Sequence, residues 1–313
     1  MTTVVENELV QGTLDSHRLR SSFSAMRISF VWLGTRKSLT SDQRIQAASQ
    51  FGAEGKYISA GKKLLDTSHP AMKSVHHVKR EIVDLWKGNS LPYPETGIRL
   101  VRRDDLEFLN DRLVELSYAL EESVESLERS YSELKQQARE RLGDLFAEDD
   151  YPSTLQGLFS VTWDFPNVEP PDYLRRLQPE IYRQECTRVR ERFEEAANRA
   201  EQAFVDELSN LLSHLQERLS GTDDGKPKVF RDSAVENLLD FFERFRRLNI
   251  GGNEELDRLV ADARRILSGV GPQALRNDAY LRNRVTNQLT AVQSSLDGLM
   301  VDRPRRRILH GRS

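Results

Sequence analysis

Two long stretches of the chain repeat apolar residues at the spacing of an α-helix. In the first stretch, residues 104–146, every five apolar steps cover 18 residues, through Leu106, Leu109, Leu113, Leu116, Leu120, Val124, Leu127, Tyr131, Leu134, Ala138, Leu142 and Leu145. Because this average is the helical period, the apolar side chains stay on one face. Asp104 and Asp105 lie in the first turn, where the helix dipole favours carboxylates. The pattern therefore predicts one long amphipathic helix.

The second stretch, residues 179–219, has a similar pattern with an alanine-rich middle. Its stripe contains Tyr182, Cys186, Val189, Phe193, Ala196, Ala200, Phe204, Leu208, Leu211 and Leu215. A helix of about 40 residues is about 60 Å long, and it needs a partner to bury such a stripe. We expect the two stretches to pair as a long antiparallel helical hairpin that resembles a coiled coil. Self-association through the same stripe is the alternative.

The remaining segments predict a mainly α protein arranged around that hairpin. We expect a flexible N-terminus over residues 1–21, an N-terminal base over 22–102, the hairpin over 103–220 with a folded tip at 147–178, a linker over 221–232, C-terminal helices over 233–300 and a basic tail over 301–313. Capping residues, Pro and Gly place helices at about 41–51, 56–66, 70–87, 233–248, 253–269 and 272–299. Residues 98–101 read as extended, and residues 18–33 as a short strand or the start of a helix.

The tip holds four prolines and a cluster of apolar residues, which is more than a simple turn between helices needs. We expect a small folded cap with a short helix and an extended piece, SVTWDF. Aromatic side chains on a protruding element are common interface anchors, so we predict a partner-binding surface at Leu158, Phe159, Trp163 and Phe165. The alternative is that these residues only close the end of the rod.

Charge is spread unevenly along the chain, although the net charge is only -3. Residues 103–220 hold 14 Lys and Arg against 27 Asp and Glu, whereas residues 1–102 hold 15 against 9. An acidic rod is a poor surface for nucleic acid, because phosphate binding needs clustered Lys and Arg. The basic flanks offer candidate anion contacts at Lys62, Lys63, Arg305, Arg306 and Arg307.

Composition also suggests a compartment. The single cysteine, Cys186, excludes an internal disulfide framework and fits a reducing environment, where we expect it to be a buried apolar residue. The first residues are acidic and lack the apolar run of a signal peptide, and no apolar run is long enough to span a membrane. We therefore expect a cytoplasmic protein.

The sequence patterns that come nearest to known nucleotide-binding, metal-binding or catalytic motifs do not match those motifs. Gly55 and Gly61 enclose five residues where a phosphate loop needs four, and Lys63 stands where that loop needs Ser or Thr. His76 and His77 are adjacent and point about 100° apart on a helix, so they cannot converge on a metal. The paired carboxylates of the rod match a solvated helix face, and no Ser lies in a nucleophile elbow. We expect no catalytic residue, no cofactor, no metal site and no small-molecule substrate.

A resemblance adds to this reading. The run GKYISAGKKLLDTSHPAMKSVHHVKREI, then LPYPETGIRLVRRDDLEFLNDRL and a long charged helix, resembles an uncharacterised family of helical bacterial and phage proteins, over residues 24–220. Members of that family are often encoded beside MoxR-type AAA+ ATPases and proteins with a von Willebrand A domain. The resemblance implies an adaptor or substrate of an ATPase-driven assembly, and it carries over no active site.

Three hypotheses about function follow. The leading one is a non-enzymatic helical scaffold or adaptor that binds protein partners, with a MoxR-type AAA+ ATPase and a von Willebrand A-domain protein as the implied partners. The second is a membrane-acting protein that inserts its apolar tip on oligomerising. The third is a nucleic-acid-binding protein that uses its basic flanks.

Overall fold

Helices make up most of the structure. The computed structural model describes residues 14–219 and 232–301. These ranges contain eleven α-helices: α1 Leu14–Ser22, α2 Ser41–Ser49, α3 Pro70–Gly88, α4 Leu106–Arg129, α5 Tyr131–Leu142, α6 Asp172–Leu177, α7 Pro179–Leu219, α8 Ser233–Leu248, α9 Glu254–Leu267, α10 Pro272–Asn277 and α11 Ala279–Val301. The predicted mainly α class is confirmed.

The structure also contains a β-sheet, which the pattern of apolar residues does not predict. The strands are β1 Phe23–Trp32, β2 Arg36–Ser38, β3 Gly61–Lys63, β4 Ser90–Pro92, β5 Ile98–Arg102 and β6 Phe159–Asp164. Four of them form an antiparallel sheet in the order β4-β5-β1-β6, and β2 pairs with β3 in a separate antiparallel ribbon. In the register of β1 and β6, Trp32 lies opposite Phe159 and Ile28 opposite Trp163.

The chain divides into two compact units, each assembled from separate stretches. Unit 1 comprises Met1–Ala25, Asn89–Arg103 and Asn167–Ser313, and unit 2 comprises Met26–Gly88 and Asp104–Pro166. These units cut across the predicted boundaries, because the expected base and the expected hairpin are each shared between the two.

Unit 1 is organised around α7, which packs against α1, α8 and α11. The predicted stripe of α7 is buried along most of its length, including Cys186. Its Phe204 ring contacts the rings of Phe241 and Phe245 on α8, with centroid distances of 6.2 and 5.0 Å. Aromatic and leucine side chains of α8, α9 and α11 complete a continuous apolar core.

Unit 2 is organised around α3 and α4, which pack against each other. Helix α3 directs one apolar face into the interior of unit 2. The buried residues of this face, at helical spacing, are Met72, Val75, Val78 and Ile82. The predicted stripe of the first long stretch is buried at Leu109, Leu113, Leu120, Val124 and Leu127 on α4 and at Tyr131, Leu134 and Ala138 on α5. Helix α4 also packs against strand β6.

The predicted long hairpin is not confirmed. Its two arms belong to different units, and each arm covers its stripe with partners of its own unit: α3 for α4, and α1, α8 and α11 for α7. The first arm is also interrupted at Ser130 and ends at Leu142, where Gly143 adopts a positive φ of 50°. The stripes therefore predicted the buried faces correctly but not their partners.

Three local predictions differ from the structure. Residues 14–21, predicted as part of a flexible N-terminus, lie in α1. The helix predicted over 272–299 is broken at Asp278 into α10 and α11. The predicted helix at 56–66 is instead a 3-10 turn, Gly55–Tyr57, followed by strand β3. The predictions for residues 1–13, for the linker up to residue 231 and for the tail beyond residue 301 lie outside the described residues.

Candidate interaction site

Part of the predicted tip at 147–178 is a strand of the sheet rather than the cap of a rod. Residues 159–164 are extended, as predicted, and they form β6. Leu158 and Trp163 are partly buried, and the side chain of Phe165 is 49% exposed. Phe159 is buried at 4% exposure, so this residue belongs to the interior and is not available to a partner.

Side chains of β1 and β6 alternate between two faces of the two-stranded ribbon that these strands form. One face, here called the inner face, carries Ile28, Phe30, Trp32, Phe159, Val161 and Trp163. The Trp32 ring meets the Phe159 ring edge-on at 5.0 Å between centroids. Apart from Val31, the outer face carries polar residues, and its Arg27 and Asp164 form an exposed ion pair at 2.6 Å. The alternation of buried and exposed side chains fixes which face the helices cover.

Helix α3 covers the β1 part of the inner face. The Lys79 ammonium lies 3.9 Å from the centre of the Trp32 ring and 4.9 Å from that of Phe30, in cation–π geometry. Burial lowers the pKa of Lys79, and burial together with the positive charges of Lys79 and Arg80 lowers the pKa of His76. The neutral form of His76 is therefore favoured, and its ring lies 5.9 Å from that of Trp32 between centroids.

Helix α4 covers the β6 part of the inner face. The indole Nε1 of Trp163 donates a hydrogen bond to Oδ1 of Asn110 on α4, at 3.2 Å. On another side of the same helix, the hydroxyls of Ser123 and Ser74 hydrogen-bond at 3.1 Å and join α4 to α3. These two contacts fix the rotation of α4: Asn110 marks the side over β6, and Ser123 marks the side towards α3.

Strand β6 has an unpaired edge. Its neighbour in the sheet is β1, and among the described residues no backbone hydrogen bond joins β6 to another strand on its other side. In an antiparallel pair, every second residue directs its N–H and C=O away from the partner strand. The six residues of β6 include no Pro and no Lys, the two residue types that commonly protect such edges from pairing. By contrast β4, at the other end of the sheet order, has three residues and ends in Pro92.

The flank of α4 next to this edge carries exposed carboxylates. A helix turns about 100° per residue, so Glu121 lies about 20° beyond Asn110, on the side away from Ser123. By the same rule Glu107 and Glu125 lie about 60° beyond Asn110. All three are exposed, and none has an ion-pair partner within the described ranges. Glu107, Glu121 and Glu125 are called the acidic flank below.

Lys62, predicted as an anion contact, is buried and already paired. Its Nζ lies 2.6 Å from Oδ2 of Asp150 and donates a hydrogen bond to the Leu145 carbonyl. Hydrogen bonds from Lys37 and then Lys62 lower the pKa of Asp150. The charge of Lys62 is therefore paired within unit 2, where it stabilises the fold, and it is not available to a ligand. Lys63 is exposed, and Arg305, Arg306 and Arg307 lie outside the described residues.

The histidines have structural contacts. Nδ1 of His69 accepts a hydrogen bond from the Ala71 amide at the start of α3, as expected for a capping residue. His77 lies 3.8 Å from Glu81 on the same helix. Across residues 14–219 and 232–301, no group of three or more His, Cys, Asp or Glu side chains is arranged to hold a metal ion.

Unit 1 contains a groove of about 680 Å³ between α8 and α9. Its floor is apolar and its rim carries three arginines. Arg246 and Arg264 both pair with Glu243, and Arg265 pairs with Asp262. Asp257 also lines the groove, so the three arginines are matched by Glu243, Asp262 and Asp257, and the rim does not favour a ligand of either sign.

None of the helices in the described ranges combines the length and the apolar content needed to cross a membrane. Comparison with known proteins gave no match: no family model fits the chain, no curated protein is significantly similar to it, and no solved structure resembles it. The resemblance to the helical family encoded beside MoxR-type ATPases thus stays a prediction.

Proposed function

We propose that this protein is a non-enzymatic scaffold or adaptor that binds an extended segment of a protein partner at the unpaired edge of β6. The observation that carries the proposal is that edge: six residues without Pro or Lys, in a strand that has a single neighbour. An extended segment placed there would become a further strand of the sheet. Addition of a strand to an exposed edge is a recurrent mode of peptide recognition.

The energetics indicate that backbone pairing needs help from side chains. Three of the six β6 residues direct both backbone groups outward, which gives about six hydrogen bonds to an added strand. At about 0.5–1.5 kcal/mol each, these bonds contribute about 3–9 kcal/mol. Ordering six backbone residues costs about 6–12 kcal/mol. Since the free energy of the hydrogen bonds is comparable to the cost of ordering the backbone, side-chain contacts have to supply the net binding energy, and they thereby select the partner.

Alternating N-methylation of a ligand peptide tests strand addition directly. In an added strand, the N–H groups of one set of alternate residues face β6 and those of the other set face away. Two peptides of one sequence, each N-methylated on one of the two sets, should therefore differ, with one losing binding and the other retaining it. Hydrogen exchange of the 159–164 amides should slow with the binding peptide. Equal loss of binding in both peptides would contradict strand addition.

The identity of the partner is a separate proposal, which rests on the resemblance. We propose a MoxR-type AAA+ ATPase or a von Willebrand A-domain protein as the partner, with self-association of the chain as the alternative. Co-expression of the chain with each candidate, followed by size-exclusion chromatography, tests this. A complex that forms with the intact chain and is lost when the binding peptide is added would support this proposal. Separate elution of the three proteins would contradict it.

A further inference from the structure

The chemistry of the bound segment can be argued further, on the assumption that strand addition at β6 is correct. We propose that the edge of β6 and the acidic flank of α4 select an extended segment with Lys or Arg at alternate positions. The proposal combines the position of the edge, the rotation of α4 and the sign of the charges beside the edge.

An added strand would lie beside β6, on the side away from β1. Helix α3 lies over β1, through the contacts of His76 and Lys79 with Trp32, and α4 lies over β6, through the bond of Trp163 to Asn110. The order from α3 to α4 thus follows the order from β1 to β6. A new strand would lie about 4.8 Å beyond β6. The side chains on the inner face of that strand would point towards the flank of α4 that lies on the side away from α3.

That flank of α4 carries exposed carboxylates along the length of the helix. Glu107 and Glu125 are 18 residues apart on one side of α4, so about 27 Å separates them along the helix axis. That distance is comparable to the length of about 20 Å of a six-residue strand. Tyr118 lies between them with a side chain that is 66% exposed, and it can pack against the aliphatic stem of Lys or Arg.

Few basic residues balance the carboxylates of α4. The helix has two basic residues, Arg112 and Arg129. Arg112 pairs with Glu115 on the side of the helix opposite the sheet, and Arg129 stands at the C-terminal end. The acidic flank therefore has no cation of its own along most of its length. A basic segment would supply the missing cations, whereas an acidic one would be repelled.

Alternation then defines the sequence pattern of the ligand. Every second side chain of an added strand faces α4, and the others continue the outer face. The expected ligand carries Lys or Arg at the positions facing α4 and β-forming residues such as Val, Ile or Thr between them. Such a segment would also be extended by repulsion between its own charges.

Three labelled peptides of one length, with Lys, Gln or Glu at alternate positions and Thr or Val between them, test the proposal by fluorescence anisotropy with the full chain. We expect the Lys peptide to bind about tenfold more tightly than the Gln peptide, because exposed ion pairs add modest energies. The difference should shrink as salt increases. The Glu peptide should bind most weakly.

A chain with Glu107→Gln, Glu121→Gln and Glu125→Gln should bind the Lys peptide only as tightly as the Gln peptide. Its affinity for the Gln peptide should stay unchanged. All three side chains are exposed, so these substitutions leave the core intact. Circular dichroism of the variant checks that the fold is retained.

The matched control removes the same number of charges elsewhere, by Glu122→Gln, Glu133→Gln and Glu140→Gln. These residues are exposed and lie outside the acidic flank. The control should keep the full preference for the Lys peptide. An equal loss in both triple variants would overturn the proposal, because it would show a general effect of net charge.

The remaining outcomes separate this inference from strand addition. If the Gln peptide binds as tightly as the Lys peptide and slows exchange of the 159–164 amides, strand addition stands and the preference for basic segments is wrong. If no peptide binds, or the Lys peptide binds without slowing that exchange, both proposals are wrong.

Discussion

The buried ion pair in unit 2 provides a sharp test of how the small β2–β3 ribbon is stabilised. Lys37 and Lys62 lie directly opposite each other on the two strands, and like charges in such positions destabilise a ribbon. Asp150 contacts both ammonium groups. The side chains of Lys62 and Asp150 are 5% and 4% exposed, whereas that of Lys37 is 57% exposed. Asp150→Asn would therefore leave a buried positive charge without a carboxylate.

The expected cost of Asp150→Asn is about 3–5 kcal/mol, as for other buried pairs that lose one partner. Lys37→Met should cost only about 0–1 kcal/mol, because Lys37 is largely exposed. The double variant Asp150→Asn with Lys62→Met should be more stable than Asp150→Asn alone, because it also removes the orphaned charge.

Tryptophan fluorescence measures these changes in unit 2 alone. The chain has three tryptophans, Trp32, Trp86 and Trp163, and all of them belong to unit 2. With urea m-values of about 1–3 kcal/mol per M, the midpoint for Asp150→Asn should fall by about 2 M. A shift no larger than that of Lys37→Met would refute the reasoning, and so would a double variant less stable than the single one.

The same pair predicts a dependence on pH. The hydrogen bonds from Lys37 and Lys62 hold the pKa of Asp150 below its ordinary value of 3.8. The contribution of Asp150 is thus fully present above that value and is lost as the pH falls through the lower pKa of the folded state. The wild-type advantage over Asp150→Asn should stay constant near neutral pH and shrink in the acid range below 3.8.

Three further predictions concern unit 1. Phe241→Ala, at a side chain with 0% exposure, should cost about 3–5 kcal/mol in thermal unfolding followed by circular dichroism; a cost below about 1 kcal/mol would contradict the described core. Ala200→Leu should destabilise by about 1–3 kcal/mol because Ala200 is 1% exposed, whereas Ala203→Leu, at an exposed position of the same helix, should be neutral. Cys186, 4% exposed, should react with a thiol reagent only on unfolding, and fast labelling of the native chain would refute its burial.

Much of the helical structure could be predicted because periodicity and helix-boundary residues act locally. The second long stretch was predicted over 179–219, and α7 occupies Pro179–Leu219. Residues 233–248 were predicted as a helix and form α8, ended by a loop with two glycines. In both cases the apolar spacing continues without interruption between clear stop signals, so the local pattern was sufficient.

The partners of those helices could not be predicted in the same way. An apolar stripe shows which face of a helix is buried, but the stripes of α4 and α7 match each other as well as they match their actual partners. Pairing depended on β1, whose sequence was compatible with either a strand or a helix. Lys62 was missed as a buried residue because a three-residue strand shows no alternation, and its carboxylate partner lies far along the chain at Asp150.

The candidate interaction site could be predicted only in part. The extended character of SVTWDF was visible in the sequence, and so were the carboxylates of the first long stretch. Whether a strand lies at an edge depends on the order of the whole sheet, which no local pattern specifies. The significance of Glu107, Glu121 and Glu125 appears only once Asn110 and Ser123 fix the rotation of α4.

The interleaved assembly of the units sets the order in which a ribosome can complete them. Unit 2 has all of its segments once residue 166 has emerged, whereas unit 1 still lacks α7 and the helices that pack on it. At about 5–20 residues per second, the missing segments take on the order of ten seconds to synthesise. During that interval the early pieces of unit 1, including α1 and β4, lack α7, the helix on which they pack. A nascent chain arrested after residue 166 should already protect its tryptophans from a quencher.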